Sequence, residues 1–525
     1  MNTSEQVNVD QSALSSYSRT SHKVGEVRSH LEPSKRTKVP QPHKLYILLL
    51  SVVVSCLSVA VPLFTDMANS LQSQNLYIGL MFSKGYLPFT DMFATGGFLY
   101  YAVIALAYIL GSTLWLVPIQ IVAFYLSGIY FYKLVNYFTD SHRLAVPFTG
   151  VFYLLSVALG FGGLYPIQFA MPFVMVSLWF LTKYFADIIK DEAFILYGFA
   201  GAAAMLLEPR TLVFWILSFL TIIVYNLRKG HFARGFYQLL CIIFGTILVF
   251  YTAGYFILNS QVLLPYLNQA IVYQFTSFAT SDGNLILTLL FQIVVALGSG
   301  LVFGAVSFGK IVRNSHDKVA KWLILLVFIC FFVIDLLTQS YQFYNLLAAM
   351  PFGVLLTAMA LGEQYQRSLT KTSHRRRKAS DNVGSFGFYL KRHLYLPILV
   401  LVVGVGQPVL HACLSVNANS ERTTIAKYLE KEVSKDDTIY VWDDSSKIGI
   451  DSQLPSSSQF TSPVVNTAKS ANKKVLEDEL LQNLGSYIVV NKDQKISESL
   501  KNNFSSNYEK VQIVGITGFT VYHKK

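Results

Sequence analysis

Residues 45–63 read LYILLLSVVVSCLSVAVPL, and Phe64-Thr65-Asp66-Met67 follows at once. A run of this length with no charged side chain matches the roughly 20 apolar residues that a helix needs to cross a bilayer. The residues before it are polar and rich in Ser, Thr, Lys and Arg. A secretory signal would place a short apolar stretch close behind a basic start, so the sequence predicts an uncleaved first span, Leu45 to Leu63, behind a disordered cytoplasmic tail, residues 1–43. A carboxylate, Asp66, then stands at the end of that span.

Further apolar segments follow at about 97–111, 114–133, 144–160, 166–185, 193–207, 211–227, 235–258, 285–308, 319–338, 341–361 and 393–413. Between them Lys and Arg cluster at Arg28 to Lys44, Arg228 to Arg234, Lys310 to Lys321 and Arg367 to Arg392. Basic loops stay on the cytoplasmic side of a membrane, which predicts a cytoplasmic N-terminus. Placing both 65–96 and the C-terminal region outside then requires an odd number of crossings, 11 or 13, so that either the short 97–111 piece does not span or another segment hides a break. The segment 364–392, with His374-Arg375-Arg376-Arg377-Lys378, reads as an orienting cytoplasmic loop, or as a contact for lipid headgroups.

The whole chain is 53% apolar and only 14% charged, against about 45–50% and 25% in soluble domains. That excludes a cytosolic enzyme built on one large core, and the scarcity of charge makes each intramembrane or interfacial carboxylate informative. The net charge of +12 lies in the loops that orient the spans, with no basic stripe interleaved with stacking aromatics, so no nucleic-acid partner is expected. Cys56, Cys241, Cys330 and Cys413 have no CxxC spacing and read as small hydrophobes. From about Asn419 the chain turns polar. Strand-like runs at Thr438–Trp442, Ser486–Val490, Val511–Val514 and Phe519–Tyr522 alternate with helical stretches near Thr423–Val433 and Lys473–Asn483. The fold class read from this is mainly α. It is a polytopic membrane helical bundle of about 11–13 helices over 44–418, with its first external loop at 65–96, and a small extracytoplasmic α/β domain over 419–525.

The loop after the first span holds a second carboxylate in Lys84-Gly85-Tyr86-Leu87-Pro88-Phe89-Thr90-Asp91, ahead of Ala94-Thr95-Gly96-Gly97. Spacing alone also allows Asp66 merely to end its helix in solvent and Asp91 to cap the next. Asp66, the Gly85–Asp91 run and Gly97-Phe98-Leu99-Tyr100-Tyr101 resemble the first external loop of GT-C glycosyltransferases, in particular bacterial integral membrane members of the protein-mannosyltransferase and aminoarabinose-transferase kind. Those enzymes take a sugar from a polyprenyl phosphate on the outer face of the membrane. The resemblance implies Asp66 as catalytic base, Asp91 as the second acidic position and an inverting transfer. This chain departs from the pattern in Phe89, where Tyr is usual, and in Ala94–Gly97, where a Lys-Gly-Pro segment would supply a phosphate contact.

Glu208-Pro209-Arg210 resembles the family's Lys-Pro or Arg-Pro turn, where the cation would hold the carrier phosphate; an interfacial Glu/Arg pair anchoring a turn is the plainer alternative. Tyr341-Gln342-Phe343-Tyr344-Asn345 before Met350-Pro351 matches a His-Tyr or Arg-Tyr position, of which only Gln342 and Tyr344 carry over. Lys84, Tyr86 and Tyr165 are further candidates for the phosphate and sugar, Asp335 for the same cavity, and the polar stretch 259–284 for a cover or a plain connector. No metal-ligand cluster is visible, and a divalent cation (Mg or Mn) between Asp66, Asp91 and a donor phosphate is the remaining candidate cofactor. The resemblance thus implies a membrane glycosyltransferase in a bacterial plasma membrane. Its partners would be a polyprenyl-phosphate sugar donor and an envelope polysaccharide, lipid or protein acceptor. The other classes are a transporter or flippase of lipid-linked saccharides, for which no internal repeat is seen, and a non-enzymatic envelope-assembly protein.

Overall fold

The structure is a computed structural model that describes residues 38–189, 191–277, 285–313, 317–338, 342–373 and 395–525. The tail before residue 38, the basic run 374–394, and Gln339 and Tyr341 therefore lie outside the described residues. Twelve of the longer helices make the bundle: α1 (Gln41–Cys56), α2 (Ser70–Ser83), α3 (Phe98–Ile109), α4 (Leu116–Thr139), α5 (His142–Leu159), α6 (Pro166–Phe185), α7 (Phe194–Leu207), α8 (Leu212–Arg228), α9 (Phe232–Asn259), α10 (Leu285–Gly298), α11 (Lys318–Leu337) and α12 (Met350–Ser373). Helix α13 (Tyr395–Leu414) completes it. Seven helices among the described residues are long and apolar enough to cross a membrane, and α1, α3 and most of α10 are shorter apolar helices beside them. The chain is a multi-pass membrane protein.

The first span ends earlier than its composition predicts. Helix α1 stops at Cys56, Ser58 bridges to Gly162, and Pro62–Met67 forms a 3-10 turn that carries Asp66. Pro62 opens that turn, where its missing backbone N–H costs nothing, so the apolar run continues while the helix does not. Helix α3 has 12 residues, about 18 Å at 1.5 Å per residue, too short for a hydrocarbon core of about 30 Å. The expected span at 285–308 breaks at Gly300, which adopts a left-handed conformation, and the one at 341–361 begins as a 3-10 turn, Phe343–Leu347.

The expected external loop 65–96 contains a buried helix, α2. Asn69 and Gln72 bond reciprocally at its start in a capping box. Gln72 Nε2 then donates to the carbonyls of Phe161 and Gly163, at 2.9 and 2.8 Å. Polar residues buried in this way satisfy the backbone of the 160–165 turn and hold the chain after Asp66 against it.

Helices pack where glycine lets backbones meet. A Cβ on Gly245 of α9 would lie 2.0 Å from the Ile195 carbonyl oxygen, and one on Gly198 of α7 2.1 Å from that of Ile242. Gly245→Ala must therefore force α7 and α9 apart, and we expect a loss of about 1–3 kcal/mol, read as a lower melting temperature of the detergent-solubilised protein. Gly254→Ala on the same helix, where a Cβ meets nothing within 4 Å, should leave it unchanged. The outer face of α9 exposes Phe236, Leu240, Phe244, Ile247 and Tyr251, as lipid contact requires. Cys56 and Cys413 are also exposed, whereas Cys241 is buried; all four cysteines are free.

The C-terminal domain follows helix α14 (Val416–Glu432), with α15 (Ser470–Leu481), α16 (Glu498–Asn507) and strands β1 (Ile439–Trp442), β2 (Tyr487–Asn491), β3 (Tyr508–Val511) and β4 (Phe519–Lys524). The sheet order is β1-β2-β4-β3, with β1 and β2 parallel and the other pairs antiparallel. The third strand starts at Tyr508, so Ile513 and Val514 fall in the turn after it rather than in the strand. Alternation assigns Ile439, Val441 and Val489 to one face, under α14, and Tyr440, Trp442, Ile488 and Val490 to the other, under α15 and α16. Phe93, from the loop after α2, enters that second core and stacks on Phe460 at 4.9 Å. The C-terminal domain is in this way keyed to the 84–97 loop.

Candidate functional site

Helix α7 ends because Pro209 follows. Glu208 is extended and caps the turn Pro209–Thr211, accepting from the Arg210 backbone N–H, from Nε and from Nη2, each at 3.1 Å. Glu208 is fully buried and Arg210 nearly so, with side-chain exposures of 1% and 16%. Arg210 Nη1 has no partner among the described residues. Gln274 Nε2 donates to the Thr95 carbonyl and reaches Glu208 Oε1 at 3.5 Å. Asp335, buried on α11, interacts electrostatically with Arg210 and Glu208, and neither of its carboxylate oxygens has a hydrogen-bond partner among the described residues. Glu208, Arg210 and Gln274 line a cavity of about 320 Å³ together with Asn69, Thr95 and Tyr344, whereas Asp335 is not in its lining.

A second cavity of about 220 Å³ adjoins it and contains Asp66. Asn69, Tyr165, Gln342 and Tyr344 line both. Tyr165 and Tyr344 stack at 5.0 Å between centroids, and Asn69 Nδ2 donates to the Tyr165 hydroxyl at 2.8 Å. Burial, with Tyr344 beside it, pushes the Tyr165 hydroxyl well above its usual ionisation range, so it remains a neutral hydrogen-bonding group. Gln342 is held through its carbonyl, which accepts from Gln292 Nε2 at 2.9 Å.

Asp66 is half exposed, and Lys447 of the C-terminal domain donates to its Oδ1. Asn419, Arg422, Asp444 and Ser445 extend the same wall, and Val464, Val465, Asn466 and Ala468 line the Arg210 cavity. Tyr273 donates to the Asn466 carbonyl at 3.1 Å, and burial pushes its own hydroxyl up to about 12. The C-terminal domain thus closes both cavities. A third, of about 610 Å³, shares Thr65, Ala68, Ser445 and Lys447 with the second.

Of the residues singled out in the sequence, Asp66, Glu208, Arg210, Gln342, Tyr344 and Tyr165 converge on the two adjoining cavities. Lys84 instead lines the third and donates to the Gln453 carbonyl at 2.7 Å. Tyr86 packs against the bundle core. Asp91 Oδ2 accepts from the Leu87 backbone N–H at 2.7 Å and lines none of the three cavities. Asp66 and Asp91 therefore do not form one donor set for Mg or Mn, and no group of three His, Cys, Asp or Glu suited to a metal occurs among the described residues. In the polar stretch 259–284, Gln269 and Gln274 bond to the 89–95 loop. Lys447, Arg422 and Asn69 were not singled out; only the Asn69/Gln72 capping spacing was a readable signal.

Three comparisons bear on this arrangement. No curated protein matches the chain by sequence. The crystal structure of ArnT from Cupriavidus metallidurans bound to undecaprenyl phosphate superposes with a TM-score of 0.50 at 14% identity, over 91% of this chain and 97% of that one. The apo form of the same ArnT gives 0.52 at 14% identity, over 91% and 96%. The membrane bundle with its small C-terminal domain has an ArnT-like fold. Residues 419–525 match the family described as "Ccs4 C-terminal domain". Residues 32–416 match "Putative competence-induced protein Ccs4 N-terminal domain", and with most of its length covered the chain belongs to the Ccs4 family.

Proposed function

We propose that the protein is a membrane glycosyltransferase that moves a sugar from a polyprenyl-phosphate donor to a hydroxyl of a cell-envelope acceptor. The reaction would take place at the outer face of a bacterial plasma membrane, with the N-terminus cytoplasmic and the C-terminal domain outside. The observation that carries the reading is the pairing of two cavities across the Tyr165–Tyr344 stack, one holding Asp66 and the other Arg210, in a fold whose ArnT example binds undecaprenyl phosphate.

In this reading the donor phosphate sits in the Arg210 cavity. Glu208 already occupies Nε and Nη2, so Nη1 meets a phosphate oxygen, helped by the second amide N–H of Asn69, whose first goes to Tyr165. The sugar lies beneath Tyr165, Gln342 and Tyr344. Asp66 Oδ1 is taken by Lys447, which leaves Oδ2 to accept the acceptor's hydroxyl proton as that oxygen bonds to the anomeric carbon. The anomeric C–O bond to phosphate breaks on the opposite face, its electron pair leaves with the phosphate, and the configuration inverts. Positioning and charge stabilisation supply most of the rate, because the leaving group is already good.

The phosphate assignment has a direct test. Arg210→Lys keeps the positive charge but loses the fork. It should weaken undecaprenyl phosphate binding to the detergent-solubilised protein by about tenfold or more, measured by native mass spectrometry. Unchanged affinity would remove Arg210 from the donor site.

A further inference from the structure

We infer that the 610 Å³ chamber beside Asp66 is the acceptor site and that it receives a saccharide bearing an acidic group. The inference rests on the transferase reading and adds to it the class of acceptor.

The chamber lies between α2, the end of α3 and the short C-terminal-domain helix Lys447–Ser452. Its size falls within the range of small-molecule sites, about 300–1,000 Å³. Leu76, Leu80, Tyr108 and Ile450 give it an apolar floor, and Ser73, Ser83, Thr113 and Gln453 add short polar groups. That mixture suits a sugar ring, whose C–H faces lie on apolar and aromatic surface while its hydroxyls take hydrogen bonds.

Charge narrows the class. Lys84 lines the chamber with no acidic partner among the described residues, while Lys447 is already paired with Asp66 and Asp451 is the one acid in the lining. Lys84 donates a single bond to the Gln453 carbonyl, which leaves two of its three N–H groups for a ligand. Burial and the nearby Lys435 both push the Lys84 ammonium below its usual range; an incoming carboxylate or phosphate relieves that repulsion. At the other end, Asp451 faces Lys447 and Asp66 and can accept a sugar hydroxyl.

Position fixes the role. Thr65, Ala68, Ser445 and Lys447 belong to both this chamber and the Asp66 cavity, so the two share a wall at Lys447, the partner of Asp66. Asp66 itself lines the adjoining cavity, so a hydroxyl presented at this shared wall lies next to the carboxylate. The same acidic saccharide chemistry can come from a water-borne glycan or from a lipid headgroup, since Tyr108 and Gly111 of the chamber's lining are next in sequence to the exposed apolar Leu106, Ile109 and Leu110.

Binding can be read without turnover on full-length Asp66→Asn protein in nanodiscs. Tetragalacturonate serves as the soluble acidic probe, maltotetraose as its neutral control, and glucuronosyl diacylglycerol in the nanodisc lipid as the membrane-borne probe. At least one acidic probe should bind about tenfold tighter than maltotetraose, and whichever binds better names the source. Leu80→Trp, which fills the chamber, and Lys84→Met should each cost about tenfold or more in that binding, while undecaprenyl phosphate affinity and melting temperature stay unchanged in Lys84→Met. Absence of binding by either acidic probe, equal binding of maltotetraose, or binding indifferent to both substitutions would overturn the assignment. Absence of transfer from a polyprenyl-phosphate sugar by the wild-type protein would instead count against the transferase reading and leave the binding result standing.

Discussion

Asp66→Asn should lower sugar transfer by roughly 10²- to 10⁴-fold, the range a positioned general base supplies. Undecaprenyl phosphate binding and membrane insertion should remain at wild-type level. The substitution is close to isosteric, and Asn keeps an oxygen toward Lys447 but cannot take a proton at neutral pH. Little stability is at stake, because Asp66 is half exposed on a 3-10 turn and such an ion pair contributes about 0–1 kcal/mol. Transfer would be followed from a radiolabelled polyprenyl-phosphate sugar to membrane acceptors, with donor affinity measured in parallel. Activity within a few-fold of wild type would sink the role of Asp66. Loss of both activity and donor binding would point to a structural role for the turn instead.

The elements that were legible from the sequence are those whose signal is local. Leu45–Cys56, the later apolar runs and the alternating strands of the C-terminal domain each declare themselves through period or length. Asp66 stood out because charge is rare in this chain, and Glu208-Pro209-Arg210 through its resemblance to the family's turn. What the sequence hides is pairing across distance. Lys447 reaches Asp66 across 381 positions, and nothing near residue 447 announces a site. Helix α2 was read as loop because Gln72, Ser73, Gln74 and Asn75 look like surface; Gln72 is instead buried against the backbone of the 160–165 turn. The end of the first span was overrun for the opposite reason, since Leu57–Leu63 is apolar yet bridges and turns rather than continuing the helix.

The C-terminal domain offers the second large effect. Arg422 is buried and binds Asp443 through Nε at 2.7 Å and Nη2 at 2.9 Å, Asp444 at 2.7 Å and Asn419 at 2.7 Å. Asn491 at the end of β2 donates to the same Asp443 at 2.7 Å, so one guanidinium ties α14 to the strand ends directly beside the Asp66 cavity. Arg422→Met should destabilise this domain by about 3–5 kcal/mol, because it strands two neighbouring carboxylates in a desolvated site. The loss should depend on pH in a defined direction. Burial first, and Asp443 second, hold the Asp444 carboxyl above its ordinary value, while Arg422 and His411 oppose them. Removing Arg422 leaves the raising causes in command. A carboxyl whose folded value lies above its unfolded one takes up a proton on folding, so stability falls as pH rises through that range and recovers as pH drops. The variant's deficit should therefore be largest at neutral and alkaline pH and shrink toward pH ~5, measured as limited proteolysis of residues 419–525 in the intact protein. A deficit that is flat with pH would show that the stranded carboxylates are not its cause. Because Lys447 follows Asp444 by three positions, transfer activity should fall along with domain stability and recover with it, which separates this variant from Asp66→Asn, whose activity does not return.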